Sequence, residues 1–204
     1  MMDRQLSLVE QTEYEVCRLC PRACGVNRVK GERGFCGMGT QPVVASGENG
    51  SGTVFFSGCN LRCVFCQNQE ISRGKAGKEI STDRLSEIFL ELQDKGAHNI
   101  NLVTGVLFIP SIAVALKQAK TKGLQIPVVY NCGGYESVEA LRLLEGLIDI
   151  YLPDFKYWTS DLAQRYSHAV DYPDRAKEAL GEMVRQVGEP VFLPSGILQK
   201  GVVV

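Results

Sequence analysis

The sequence predicts an α/β fold, a partial (β/α) barrel behind a cysteine-rich N-terminal segment. Three observations predict it. Five short β-branched runs are spread along the chain, stretches with helical apolar spacing alternate with them, and seven of the eight cysteines fall within the first 66 residues. The chain has 204 residues, enough for one buried core. The runs are 53–57 (TVFFS), 100–104 (INLVT), 127–131 (PVVYN), 148–152 (IDIYL) and 201–204 (GVVV). Strands joined through helices pair in parallel. Five are too few to close an eight-stranded barrel, so the sheet stays open or partial, with its site at the C-terminal strand ends.

Residues 1–50 read as the cysteine-rich metal-binding segment and 51–204 as the barrel, with the stretch 47–52 (GENGSG) as the loop between them. Ser81 or Thr82 caps a helix whose Leu85, Ile88, Phe89 and Leu92 form an apolar face, with Gly96 beyond its end. A second begins near Pro110, turns Ile112, Ala115, Leu116 and Ala119 inward, and stops at Gly123. Ser137 caps a third, carrying Leu141 and Leu144. A fourth runs from about Pro173 to Gly188 with Ala176, Leu180, Met183, Val184 and Val187 as its buried stripe.

Charge and hydropathy exclude several function classes. With 22 Lys and Arg against 23 Asp and Glu, the net charge of −1 gives no basic excess for a nucleic-acid backbone. The opening residues 1–16 carry Asp3, Arg4, Glu10, Glu13 and Glu15, unlike the apolar core of a signal peptide. No run reaches the ~20 apolar residues of a membrane span. A soluble cytoplasmic protein without a nucleic-acid or membrane partner is the expectation. In that compartment thiols stay reduced, so clustered cysteines point to metal or cluster ligation.

Cys59, Cys63 and Cys66 stand at C-x3-C-x2-C directly after the first run. A closed zinc site uses four ligands and this loop offers three. Three thiolates suit a [4Fe–4S] cube whose fourth iron stays open, and Gly58 lets the backbone turn closely around it. Cys17, Cys20, Cys24 and Cys36 read C-x2-C-x3-C-x11-C among turn-forming Pro21, Gly25, Gly34 and Gly37. Four thiolates satisfy either a structural zinc or a second Fe–S cluster, and spacing leaves both open, beside four unliganded thiols.

The residues 58–68, GCNLRCVFCQN, resemble the signature of the radical S-adenosylmethionine (SAM) superfamily. CRLCPRACGVNR, GERGFCG, NINLVT, YNCGGYE and YLPDFKY extend the resemblance to relatives of pyruvate formate-lyase activating enzymes. It implies a [4Fe–4S] cluster on Cys59, Cys63 and Cys66, SAM on the open iron, and an oxidoreductase that cleaves SAM reductively to a 5′-deoxyadenosyl radical. The partners it implies are a glycyl-radical enzyme or other protein substrate, and flavodoxin or ferredoxin as electron donor.

Residue by residue, the resemblance places Phe65 against the adenine, Lys156 on the SAM carboxylate, and Asp154 at a monovalent cation with Asn131 and Cys132 nearby. Asp154 and Lys156 follow the fourth run at alternate positions and so share one side of an extended segment, which also fits a plain surface ion pair. Thr104 and the Gly105 backbone fall where SAM is bound, but Val106 and Leu107 replace the family's polar run. Members continue past the point matching 201–204, which implies a form truncated after the fifth strand with an unpaired outer edge.

Two other readings fit the cysteines: a small iron–sulfur electron-transfer protein, and a zinc-binding interaction module. The carrier would not cleave SAM, and the zinc module would hold no iron at the first loop. His98 and His168 receive no role. Tyr157 and Trp158 read as packing, and Arg62 as a solvated or partner-facing charge.

Overall fold

The computed structural model describes residues 6–204, without the side chains at 48 and 49, so the first five residues of the opening segment lie outside it. In chain order its elements are α1 (Leu8–Glu15), β1 (Val43–Asn49), β2 (Ser51–Phe56), α2 (Gln69–Ser72), β3 (Lys78–Glu79), α3 (Thr82–Asp94) and β4 (Ile100–Val103). A 3-10 turn (Gly105–Phe108) leads to α4 (Ile109–Thr121), β5 (Val128–Cys132), α5 (Val138–Arg142), β6 (Ile150–Pro153), α6 (Ser160–Ser167), α7 (Tyr172–Val187), β7 (Val191–Phe192) and β8 (Leu198–Val202).

The strands form one sheet in the order β3-β1-β2-β4-β5-β6-β8-β7. The five expected runs are its parallel section, β2-β4-β5-β6-β8. Helices join these strands, as parallel pairing requires. In β2 burial alternates strictly, with Val54 and Phe56 fully buried. β5 is buried almost continuously, as expected of a strand covered on both faces. Ser81 and Ser137 cap α3 and α5 by accepting from Arg84 N at 3.1 Å and Ala140 N at 3.2 Å. The predicted faces of α3 and α4 are buried throughout.

Three expectations are corrected here. GENGSG is no connecting loop. Val43–Asn49 pairs antiparallel with β2, and the chain reverses at Gly50. β8 begins before Gly201, and over its first part the outer edge is paired, because β7 lies antiparallel to it with Val191 opposite Lys200 and Phe192 opposite Leu198. In α7 the buried stripe is Ala176, Ala179, Met183 and Val187, spaced three and four residues apart. Val184 is exposed, lying one step off that stripe.

The cysteine-rich segment is fixed to the sheet by a buried cation. Arg28 is 2% exposed. Its Nε donates to Gly39 O at 2.9 Å and its Nη1 to Leu107 O at 2.6 Å. Its guanidinium lies 4.3 Å from the Tyr14 ring centroid and 5.4 Å from that of Phe108. One side chain thus joins α1, the cysteine segment and the turn after β4. Tyr14 extends the joint through a 2.9 Å hydrogen bond to Ser111 of α4. Arg28→Ala should lower the unfolding free energy by about 2–4 kcal/mol, since buried carbonyls lose their donors and two rings lose a cation. Urea denaturation of parent and variant measures this, and a change within error would show that the joint is dispensable.

Candidate active site

The parallel strands all release their chains at one edge of the sheet, where a cavity of about 540 Å³ opens. Its wall includes Cys59, Cys63 and Cys66 after β2, Thr104 after β4, Asn131 and Cys132 at the end of β5, and Asp154 and Lys156 after β6. These positions are distant in sequence. Parallel pairing brings them together.

The cysteine loop is held from several sides. All three thiols are free. Leu61 N donates to Cys59 Sγ at 3.4 Å, and Ser167 Oγ donates to Cys63 Sγ at 2.9 Å, with Tyr157 OH 2.6 Å from the same hydroxyl. Burial raises the Cys59 thiol above its usual pKa, partly offset by N–H donors from Arg62 and Leu61, and the neighbouring thiols add to the rise. Gly58 takes φ +87°, and a Cβ there would stand 2.5 Å from Met38 Cγ. Only glycine fits that bend.

Most of the expected cofactor residues meet here. Phe65 lines the cavity at its rim, 55% exposed, with its ring edge-on to Tyr157 and Tyr166 at 6.2 Å. Lys156 Nζ lies 2.5 Å from Asp154 Oδ2. Burial, the largest influence on this lysine, pulls its pKa down. The Asp154 carboxylate and the facing thiols outweigh it, and the net shift is upward. The pair is therefore part of the cavity wall, and Lys156 stays charged. Thr104 adopts a left-handed φ of 61° at the cavity.

Gly105 is the exception. It is buried away from the cavity, where a Cβ would stand 2.6 Å from Ile112 Cδ1 and 3.2 Å from Tyr130. Its smallness serves helix-to-sheet packing.

Other side chains depart from expectation. Arg62 is half-buried rather than freely solvated: its Nη2 donates to Cys36 O at 2.8 Å and its guanidinium lies 5.0 Å from the Phe35 ring centroid. Tyr157 is buried, whereas Trp158 is 77% exposed and not part of the core. His98 and His168 are exposed.

Glu136 was not singled out by the sequence. It is 2% exposed, lines the cavity, and has an Oε2 without a hydrogen-bond partner. Gly134 sends it there by reversing the chain at φ +76°, with Asp154 O 2.4 Å from where a Cβ would be. The glycine pair after β5 was the available signal. Asn101 Oδ1 is a second unpartnered polar atom on the same wall.

Comparison with known proteins decides the family. Residues 53–192 match the profile of the Radical SAM superfamily. The chain belongs to the radical SAM superfamily. An uncharacterized protein of Methanocaldococcus jannaschii is 33% identical over 183 residues, covering 80% of this chain and 52% of that one. The pyruvate formate-lyase-activating enzyme of Clostridium pasteurianum is 30% identical over 93 residues, covering 42% of this chain and 39% of that one. The chain spans about half the length of the first relative and less of the second.

Radical SAM membership implies a [4Fe–4S] cluster and SAM. The donor set fits. Among the described residues no three His, Cys, Asp or Glu side chains are grouped as ligands of a single ion, whereas a cube takes each thiolate on a different iron and spaces its ligands more widely. No helix among the described residues is long and apolar enough to cross a membrane.

Burial raises the pKa of Glu136 from the usual 4.5 to about 8. A hydrogen bond from Cys132 opposes that shift, Asp154 adds to it and Lys156 opposes it. The folded state then holds a proton that the unfolded state has released, so stability is full below pH 4.5 and falls as pH rises to about 8. In the metal-free protein, Glu136→Gln should flatten that slope and raise stability at pH 8 by about 2–5 kcal/mol. Unfolding curves from pH 4 to 9 test it, and parallel profiles for parent and variant would contradict the assignment.

Proposed function

We propose that Cys59, Cys63 and Cys66 hold a [4Fe–4S] cluster with one open iron, and that the cavity binds SAM for reductive cleavage to a 5′-deoxyadenosyl radical. The observation that carries this reading is the cavity itself. Three free thiols form one wall, and a charged, half-buried lysine with an acidic partner stands among the residues opposite. The bound cluster would supply one electron to the SAM sulfonium.

The chain's residues position and shield that chemistry. Lys156 offers its ammonium to the SAM carboxylate, and Phe65 offers a ring to the adenine. Asp154 and Asn131, with Cys132 beside them, provide oxygen and sulfur donors for a monovalent cation. Thr104 contributes polar groups at the second strand end, where Val106 makes the wall apolar. Ser167 Oγ donates to Cys63 Sγ and the Leu61 amide to Cys59 Sγ, contacts that would tune the potential of a cluster held there. An electron carrier needs a cluster near the surface and no cavity of 540 Å³ beside it. A zinc module has no use for a three-thiol wall.

Activation of a glycyl-radical enzyme is the specific reaction we assign, on the likeness to an activating enzyme over 93 residues. Reduced flavodoxin or ferredoxin would donate the electron, in the cytoplasm. Anaerobically reconstituted parent should carry about four irons at this loop and cleave SAM when reduced. Replacing Cys59, Cys63 and Cys66 together by Ala should abolish both, and iron content that stays at the parent value would sink the assignment. With the cluster in place, Lys156→Ala should weaken SAM binding by about 1–3 kcal/mol, the scale of a lost charge-assisted hydrogen bond. Equilibrium dialysis reads this directly; equal affinity leaves Lys156 with no role toward SAM.

A further inference from the structure

We infer that Glu136 binds the amino group of SAM, beside a Lys156 that takes the carboxylate of the same methionyl group; the inference rests on the SAM reading of the cavity. Three glutamates are buried among the described residues, and two of them are fully engaged. Glu10 accepts from Ser7 N at 3.0 Å, Thr82 Oγ1 at 2.6 Å and Ser111 Oγ at 2.9 Å. Glu182 accepts from Arg185 Nη2 and Gln186 Nε2, each at 2.8 Å. Glu136 is the least exposed of the three, and its Oε2 meets no donor of the protein. Burying a carboxyl is costly unless it is hydrogen-bonded, and one with a purely structural role finds its partners within the fold. This one lies on the wall of the cavity, where a ligand can supply the donor.

Geometry narrows the ligand group to one beside Lys156. The glycine turn that leads to Glu136 and the strand end that carries Lys156 meet at one hydroxyl: Tyr172 OH accepts from Lys156 N at 2.8 Å and lies 2.9 Å from Gly133 O and 3.0 Å from Asp154 O. The lysine stem runs against that turn, where a Cβ at Gly133 would stand 3.6 Å from Lys156 Cε. Tyr135 fixes the turn further, its ring stacked on Tyr172 with centroids 5.9 Å apart and its carbonyl accepting from Asn60 Nδ2. The carboxyl carbon and amino nitrogen of an α-amino acid share one carbon and lie about 2.5 Å apart. Whatever holds the one must stand beside what holds the other. Two acids line the cavity, and Asp154 is already engaged by Lys156 with its side chain 57% exposed, which leaves Glu136. After β4 the wall is Thr104 and Val106, without an acid. A positive amino group is the counter-charge that burial otherwise denies this carboxyl.

The test is equilibrium dialysis of the full chain, reconstituted anaerobically and left unreduced so that SAM is not cleaved, against two ligands: SAM and its analogue lacking the amino group. Glu136→Gln removes the charge and keeps the shape. It should weaken SAM binding about tenfold, the scale of a lost charge-assisted hydrogen bond, and leave the affinity for the analogue unchanged. Lys156→Ala should weaken both ligands, since both keep the carboxylate. Unchanged SAM affinity in Glu136→Gln, or equal losses for the two ligands, overturns the inference. If Glu136→Gln does not retain the parent's iron content and circular dichroism, Glu136→Asp decides, because it keeps the charge and draws it back by one methylene. It should weaken SAM several-fold and spare the analogue, and affinities equal to the parent's overturn the inference. A parent that binds no SAM removes the reading of the cavity and this inference with it, whereas a parent that binds SAM no better than Glu136→Gln does removes the inference alone.

Discussion

Parallel pairing in fixed register is the constraint on which the site rests. Phe55, Val103, Asn131 and Leu152 are partners across four neighbouring strands. The residues that follow them therefore leave the sheet at one level. In a strand the side chains alternate between faces, so a slip of one residue in any pair would turn a cavity-lining side chain into the opposite layer. The buried residues of β2 and β4 hold the register, since their apolar set fits one face only. The cysteine loop, Thr104, Asn131 and Lys156 then meet without any local sequence signal linking them.

A second layer of organisation comes from arginines that bond carbonyls. Arg28 ties the cysteine segment to the turn after β4. Arg22 reaches Asn60 O at 2.8 Å, His168 O at 2.6 Å and Ser167 O at 2.8 Å. A guanidinium suits this work, having five donors in a planar fork and weaker hydration than an ammonium. Both arginines also lie against aromatic rings. Backbone carbonyls that end helices and loops are satisfied by side chains from another part of the chain.

The parts of this architecture that the sequence revealed are those encoded locally. A serine four residues ahead of the first leucine of an apolar face is a local capping signal, and Ser81 and Ser137 cap their helices here. The five parallel strands are legible because β-branched residues cluster in them. β1 is not, because VVASGEN has little intrinsic strand preference and owes its shape to β2. β7 is two residues long and gives no period to read. In the site, the thiols announce themselves by spacing. Glu136 does not, since its entry into the cavity depends on a left-handed glycine and on the distant Asp154 carbonyl. Gly105 falls in the run where SAM binding is expected, whereas its surroundings use its smallness for packing.

The contact of Arg22 with the end of α6 has a consequence for the order of events during synthesis. The two partners are 146 residues apart in sequence. On a ribosome the N-terminal thiols emerge first, and the carbonyl that anchors the neighbouring Arg22 emerges 146 residues after it. Loop closure over that span comes late in folding as well. For that interval the nascent cysteines stand open to oxidants, at the stage when thiols are most easily lost. The molecule thus depends on a reducing environment before it has a function to protect, and any cofactor that needs α6 in place can bind only after that helix has emerged.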